Sequence, residues 1–250
     1  MPSTANPSLF VRLIYGCYAW FILIFCVLPV AAALLLLPGL KRRRTVARWG
    51  ATTVFKLIGS EIEILGDPVT DADIAVVVAN HQSYLDGIIL TAALPPHYTF
   101  LIKGEMVKVP VAGFVLSRLG SLFVDRSDPN QRHRSGRRLV EAAQQGQAIA
   151  VFPEGTFDEE PGLKPFHLGA FRAAWRAKLP VQPVVITGAR WMLPSGSWLP
   201  RPGPLTVEFR PMLNADDFSS LQGLVQATRR AILERLPEPD LEAEEHQRSA

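Results

Sequence analysis

A long stretch without charge lies near the start of the chain and limits what it can fold into. The 28 residues from 13 to 40 include no acidic or basic side chain. A helix on the surface of a soluble domain keeps a polar face, so a segment that is apolar on every side indicates contact with a membrane. As one helix it would be about 42 Å long, which exceeds the ~30 Å hydrocarbon core of a bilayer. The segment is therefore expected to tilt or to fold back.

Pro29 decides which of these arrangements we expect. A proline inside a helix removes one backbone hydrogen bond, so we expect a break at Pro29 and a hairpin within one leaflet. A single tilted membrane helix is the alternative. A cleaved signal peptide fits less well, because the apolar run is long and its basic residues, 41–44, follow it. These residues are expected at the anionic cytoplasmic surface. The part of the chain that follows them, with any active site in it, is therefore expected on the cytoplasmic face.

Changes in composition divide the chain into three parts. Residues 1–58 are interpreted as a membrane anchor with a basic linker helix, and residues 59–236 as one folded domain. Residues 237–250 are rich in Glu and Asp and are expected to be a disordered acidic tail. The formal net charge of the whole chain is only +3, and no nucleic acid partner is expected.

The middle part alternates between short β-branched runs and helical patterns. Strands are predicted at residues 61–65, 74–78, 99–103, 121–124, 148–152, 181–187 and 205–209. Helices are predicted at residues 84–94, 111–119, 129–145, 168–178 and 218–236. Several strands are almost wholly apolar, which indicates that both faces of the sheet are covered. The predicted fold class is α/β, with a mixed, mostly parallel sheet covered by helices behind an N-terminal membrane helix or helical hairpin.

A histidine and an aspartate follow the predicted strand at residues 74–78. His81 and Asp86 are separated by four residues, and Asp86 starts the next predicted helix. Catalytic sites in open α/β sheets favour the carboxyl ends of strands. Asp86 can accept a hydrogen bond from one ring nitrogen of His81, which leaves the other nitrogen free to take a proton from a hydroxyl. The alternative is a purely structural role, because Ser83 and Asp86 also fit a helix capping box.

Two further strand ends carry candidate binding residues. The turn after the strand at 148–152 contains Phe152, Pro153, Glu154, Gly155 and Thr156. Glycine permits close backbone approach, and free amides in such a turn suit an anion or a polar headgroup. A plain Pro-Glu-Gly turn is the alternative there. The strand at 121–124 runs into Arg126, whose guanidinium suits a phosphate, with a surface ion pair as its alternative.

Taken together, these motifs resemble the glycerolipid acyltransferase family, in particular the 1-acyl-sn-glycerol-3-phosphate acyltransferases. The family's first motif is a histidine and an aspartate separated by four residues, as in His81 and Asp86. Its second motif is similar to residues 120–126, its third to residues 152–156 and its fourth to residues 179–185. The resemblance covers residues 60–190.

The resemblance implies transfer of a fatty acyl chain from acyl-CoA or acyl carrier protein to the free hydroxyl of a lysophospholipid in the membrane. His81 would deprotonate the hydroxyl and Asp86 would orient His81, while Arg126 and residues 152–156 would bind the acceptor. No cofactor and no metal are implied beyond the thioester co-substrate. Because the chain has no Gly-x-Ser-x-Gly motif and both cysteines lie in the apolar segment, a covalent acyl-enzyme is not expected.

One departure from the family pattern leaves the acceptor open. The family's third motif usually continues with arginine and serine, whereas this chain has Phe157 and Asp158. The resemblance favours 1-acyl-glycerol-3-phosphate, giving phosphatidic acid, and the missing cation favours a lyso-ornithine lipid or another lysophospholipid. A lipid or thioester hydrolase is a further alternative. A non-catalytic lipid-binding protein is disfavoured, since binding alone does not require His81 and Asp86.

Overall fold

The computed structural model describes residues 8–124 and 128–243, which form a mixed sheet with helices on both faces. The strands are β1 Ile62–Gly66, β2 Val76–Ala79, β3 Thr99–Lys103, β4 Leu122–Val124, β5 Ile149–Val151, β6 Val181–Thr187 and β7 Leu205–Phe209. Their order is β1-β7-β6-β2-β5-β3-β4, with β6 and β7 antiparallel and every other neighbouring pair parallel. The predicted fold class is confirmed, and each predicted strand end lies within two residues of the observed one.

The helices occupy most of the predicted positions. They are α1 Leu9–Leu36, α2 Leu40–Leu57, α3 Asp86–Ala93, α4 Ala112–Arg118, α5 Pro129–Gln144, α6 Gly169–Ala177, α7 Ala189–Met192 and α8 Leu221–Leu233. Helix α5 starts where the sequence places it, because Asp128 accepts a hydrogen bond from the amide of Gln131 and Pro129 occupies the first turn. Helix α8 is shorter than predicted and starts at Leu221, because the side chain of Ser220 caps it by accepting a hydrogen bond from the amide of Gly223.

Strand β2 is the centre of the core. Its four residues, Val76, Val77, Val78 and Ala79, are completely buried. Successive side chains of a strand point to opposite faces, so Val77 packs in the core beneath α1, α2 and α3, and Val76 packs in the core beneath α5, α6 and α8. Coverage on both sides explains why the strand has no polar residue.

The break expected at Pro29 is wrong. Helix α1 runs unbroken from Leu9 to Leu36 with Pro29 inside it. The chain turns at residues 37–39 instead, where Leu37 is extended, as is usual before a proline, and Gly39 adopts a φ of 81° that favours glycine. A helical hairpin therefore exists, but its second arm is the basic helix α2. Loss of one hydrogen bond at Pro29 costs less than giving up the packing of α1.

The expected boundary at residue 58 is not a structural boundary. Ala19 and Ile22 of α1 lie in the same buried cluster as Val77 of the sheet. The side chain of Arg118 in α4 donates hydrogen bonds to the carbonyl of Leu34 at 2.9 and 2.6 Å. The indole of Trp20 donates to a carbonyl of the loop after α7 at 2.6 Å. The hairpin and the α/β part therefore share one core.

The acidic tail is also ordered further than expected. Residues 237–243 belong to the described part of the chain, and Asp240 forms a parallel bridge with Leu163. The disorder expected for these residues is wrong, because buried and half-buried arginines elsewhere in the fold pair with their carboxylates. Residues 244–250 lie outside the described residues.

The role of α1 in the core gives a stability prediction with an internal control. Leu34 is completely buried, whereas Leu36 in the same helix is 86% exposed. We expect Leu34→Ala to lower the free energy of unfolding by about 2–5 kcal/mol, as for other buried leucines. Leu36→Ala should change it by less than about 0.5 kcal/mol. Chemical denaturation in detergent measures both; equal losses for the two variants would show that α1 is not part of the core.

Candidate active site

The motifs at residues 80–86 and 152–156 meet because β2 and β5 are parallel neighbours that end at the same edge of the sheet. Strand β2 pairs with β5, with Val78 opposite Val151. The segments that follow the two strands therefore start side by side, and residues 80–86 contact residues 152–157. The carboxyl edge of a parallel sheet is the usual location of a site in this fold class.

His81 and Asp86 form the pair that the spacing predicts. His81 Nδ1 lies 2.8 Å from Asp86 Oδ2, and the Asp86 side chain is completely buried. The same oxygen accepts hydrogen bonds from the amides of Gln82 at 2.6 Å and Ser83 at 2.8 Å. Asp86 therefore both holds the loop before α3 and orients the imidazole. Since the carboxylate accepts, Nδ1 carries the proton and Nε2 is the nitrogen available to a substrate.

Aromatic rings enclose the imidazole. The ring of Phe152 stacks on His81 at a centroid distance of 4.4 Å, and the ring of Phe157 meets it edge-on at 4.5 Å. Tyr84 in turn packs against Phe157 at 4.8 Å. The His81 side chain is 19% exposed. These contacts restrict the ring to one orientation and exclude much of the surrounding water.

Glu154 lies next to the backbone of His81. It is 4% exposed, and its Oε1 accepts a hydrogen bond from the amide of His81 at 2.6 Å. Its Oε2 accepts from the amide of Lys164 at 2.9 Å. With both oxygens bonded to backbone amides, this carboxyl connects the turn after β5 to the backbone of His81. A contact of Glu154 with the headgroup stays a prediction.

Burial raises the pKa of Glu154 to about 7 from the ordinary 4.5, although the amides of Lys164 and His81 lower it in part. The nearby charge of Asp86 raises it further, and Arg229 lowers it. The carboxyl therefore changes its charge near neutral pH.

Asn80 is a positioning residue to which the sequence assigned no role. Its side chain is buried, donates to the carbonyl of Ile186 at 3.0 Å and accepts from the amide of Ile186 at 2.7 Å. This pair of bonds continues the contact of β2 with β6 beyond the end of β2 and fixes the residue before His81. A polar side chain directly after a wholly apolar strand was the available signal.

The other predicted binding residues lie beside His81 or outside the described chain. Pro153 is buried and Thr156 is exposed. Gly155 has a φ of 73° and its amide donates to the carbonyl of Phe152, so the turn folds tightly. Arg126 lies outside the described residues.

An apolar cavity of about 690 Å³ extends from this site into the protein. His81, Phe152 and Phe157 line one end of it. The remaining walls come from both arms of the N-terminal hairpin, from α3 and from the segment β3–α4. This volume is within the usual range of small-molecule sites, and its lining suits a hydrocarbon chain.

A family model described as Acyltransferase matches residues 61–187, which is half of the chain. The protein belongs to this acyltransferase family.

Relatives within the family carry two different descriptions. A 1-acyl-sn-glycerol-3-phosphate acyltransferase of Brassica napus is 31% identical over 149 residues, covering 60% of this chain and 43% of the relative. A lyso-ornithine lipid O-acyltransferase of Pseudomonas aeruginosa is 30% identical over 198 residues, covering 79% of this chain and 70% of the relative. The chain spans 43%, 59% and 55% of the length of three plant relatives that it matches.

A solved structure shows the same fold. The crystal structure of the 1-acyl-sn-glycerophosphate acyltransferase PlsC from Thermotoga maritima superimposes with a TM-score of 0.73 at 23% identity. The match covers 89% of this chain and 95% of that chain, so most of the chain has a known architecture.

The position of Glu154 predicts how stability depends on pH. Between pH 4.5 and 7 the folded protein holds a proton on Glu154 that the unfolded chain releases. The stabilisation that the folded protein gains from this proton is therefore fully present below pH 4.5 and lost as the pH rises through 7. Glu154→Gln does not titrate, so the stability of the parent protein relative to this variant should fall by about 2–3 kcal/mol between pH 5 and pH 8. Denaturation of both proteins at the two pH values measures this. A difference that stays constant or grows would contradict the assigned environment of Glu154.

Proposed function

We propose that the protein transfers a fatty acyl chain from a thioester donor to the free hydroxyl of a lysophospholipid. One observation carries the proposal: the oriented imidazole of His81 lies at the end of a large apolar cavity. A base next to a hydrocarbon site suits a reaction in which the transferred group is a long acyl chain and the acceptor is a hydroxyl. Membership in the acyltransferase family supports the same reaction class.

In the proposed step, His81 Nε2 takes the proton of the acceptor hydroxyl as its oxygen attacks the thioester carbonyl. The carbon–sulfur bond then breaks, and the proton passes from the imidazolium to the leaving thiolate. Asp86 stabilises the imidazolium through Nδ1, as carboxylates paired with catalytic histidines do. The ester forms directly, without an acyl-enzyme. The donor is acyl-CoA or acyl carrier protein, and no further cofactor takes part.

The proposed acceptor is 1-acyl-glycerol-3-phosphate, as in the names of several relatives. Gly155, Thr156 and Arg126 are proposed to bind its polar head. Glu154 is proposed to support this set from behind, since both of its carboxylate oxygens accept hydrogen bonds from backbone amides.

A lyso-ornithine lipid is the second candidate acceptor, and the surroundings of His81 favour it. Phe157 packs on His81 where the family motif has arginine. Of the described cations beside the site, Lys103 pairs with Glu105 at 2.8 Å and Lys164 pairs with Asp158. These pairs reduce the positive charge available to a phosphomonoester. The lyso-ornithine lipid acyltransferase among the relatives is consistent with this alternative.

We propose that the outer face of α1 inserts into one leaflet of a membrane. By length and composition α1 can cross a bilayer, but its inner face packs on the domain from Gly16 to Leu34. Its outer face exposes Phe21, Phe25 and Leu28, each by more than half. Such a helix fits an interfacial position in which the domain stays beside the bilayer. The active site then faces the cytoplasm, where soluble thioester donors occur.

The reaction is tested by an acyl-transfer assay with radiolabelled acyl-CoA or acyl carrier protein and 1-acyl-glycerol-3-phosphate in mixed micelles. The parent protein should form diacylated lipid, and His81→Ala should lower kcat by about 10²–10⁴-fold, as expected for loss of a general base. His133→Ala changes an exposed histidine on α5 and serves as the matched control. Release of free fatty acid without lipid product would identify a hydrolase instead, and half-parental activity of His81→Ala would rule the mechanism out.

The acceptor is tested at Phe157. Phe157→Arg restores a cation beside the site, and a partly exposed charge contact is worth about 0.2–1 kcal/mol. We therefore expect the kcat/KM ratio of 1-acyl-glycerol-3-phosphate over a lyso-ornithine lipid to rise by about two- to fivefold. Phe157→Leu keeps an apolar side chain and controls for lost packing. If both variants keep the parental ratio, Phe157 does not set acceptor preference.

A further inference from the structure

The segment Pro237–Ala243, termed here the C-terminal strap, contacts the active-site loop, which comprises residues 155–168 between β5 and α6. Three hydrogen bonds connect the strap to the loop, two between backbone groups and one from a backbone amide to a side chain. The amide of Gly162 donates to Glu238 at 2.9 Å, the amide of Leu163 donates to the carbonyl of Pro239 at 2.8 Å, and the amide of Leu241 donates to the carbonyl of Leu163 at 3.1 Å. The strap therefore pairs with the loop at one parallel bridge, between Leu163 and Asp240.

Packing at Gly162 shows how closely the strap approaches. A Cβ at Gly162 would lie 2.5 Å from Leu241 Cγ, and the φ of this glycine is 143°. Glycine is thus required for both conformation and space. An acidic segment that was only loosely associated would not impose this requirement.

Two arginines of the domain connect the strap to the loop. Arg190 donates to the carbonyl of Asp158 at 2.8 Å and to both carboxylate oxygens of Glu238 at 2.8 and 3.2 Å. The buried Arg229 donates to the carbonyls of Leu163 and Lys164 at 2.7 and 2.6 Å and pairs with Asp240. Each arginine is a bridge whose planar group satisfies loop carbonyls and strap carboxylates together.

The active-site loop in turn determines where His81 lies. The amide of Lys164 donates to Glu154, which accepts from the amide of His81. Phe157, on the same loop, packs against the imidazole. A continuous series of direct contacts thus runs from Asp240 through Arg229, Lys164 and Glu154 to His81.

We infer that the C-terminal strap is a positioning element of the active site, which fixes the loop that orients His81. The inference rests on the proposed acyl transfer. Without the strap, Arg190 and Arg229 lose their carboxylate partners, and the loop loses the hydrogen bonds at Gly162 and Leu163. The cavity walls from the hairpin, from α3 and from the segment β3–α4 do not belong to this loop and stay in place, while the imidazole and its Phe157 contact become less well ordered. The turnover step should suffer more than substrate binding.

The test compares three forms of the full protein in the acyl-transfer assay. A chain that ends at Leu236 lacks the strap, and a chain that ends at Ala243 keeps it. The double variant Glu238→Gln with Asp240→Asn keeps the backbone contacts but removes two of the three strap carboxylates that pair with Arg190 and Arg229, leaving Glu242. Misplacement of a catalytic group by about 1 Å can cost 10²-fold in rate. We expect about 10- to 100-fold lower kcat for the chain ending at Leu236, with KM for the lysolipid close to the parental value. The chain ending at Ala243 should keep the parental kcat.

The double variant covers the case in which the shortened chain does not fold. It should lower kcat with little change in KM, whereas Glu234→Gln, which removes a carboxylate that pairs with Arg210 away from the loop, should not. Parental kcat in the double variant and in any folded chain ending at Leu236 would overturn the inference. A rise in KM with unchanged kcat would also overturn it. If the full chain transfers no acyl group to any lysolipid, the proposed function fails instead.

Discussion

The hydrogen bond between His81 Nδ1 and Asp86 Oδ2 is the interaction on which the rest of the site depends. It determines which ring nitrogen is free for the proposed reaction and places a buried carboxylate behind the imidazole. Neighbouring groups keep the bond in place from both sides. Asn80 fixes the chain before His81 to β6, and Glu154 accepts a hydrogen bond from the backbone amide of His81. Backbone and side chain of the histidine are therefore held by separate parts of the fold.

The sheet and the hairpin supply the surroundings that this pair requires. Parallel pairing of β2 and β5 brings the two strand ends together, and the carboxyl edge receives side chains from segments that are far apart in sequence. The hairpin of α1 and α2 forms a wall of the apolar cavity as well as a candidate membrane surface. Close packing at Gly50, where a Cβ would lie 2.6 Å from Val30, holds its two arms together. The proposed membrane surface and the apolar cavity thus depend on the same two helices.

The sequence predicts the strands and the His81–Asp86 pair well because both follow from local patterns. Unbroken β-branched runs identify buried strands, and a fixed spacing after one strand identifies the pair. The continuity of α1 through Pro29, the inward position of Glu154 and the order of residues 237–243 depend on distant partners. Acidic composition suggests a solvated tail, yet Arg190 and Arg229 supply cations from other elements. Composition near one residue carries no information about such partners, nor about the direction in which Glu154 points.

The tautomer of His81 tests the central claim most directly. Nitrogen-15 NMR of the histidine side chains, assigned by comparison with His81→Ala, distinguishes a proton on Nδ1 from one on Nε2. We expect the neutral His81 ring to carry its proton on Nδ1, with a downfield proton resonance typical of a hydrogen bond to a carboxylate, and to lose that resonance in Asp86→Ala. A neutral ring protonated on Nε2 would contradict the account, because Asp86 would then not orient His81 and its outer nitrogen could not accept a proton from the hydroxyl.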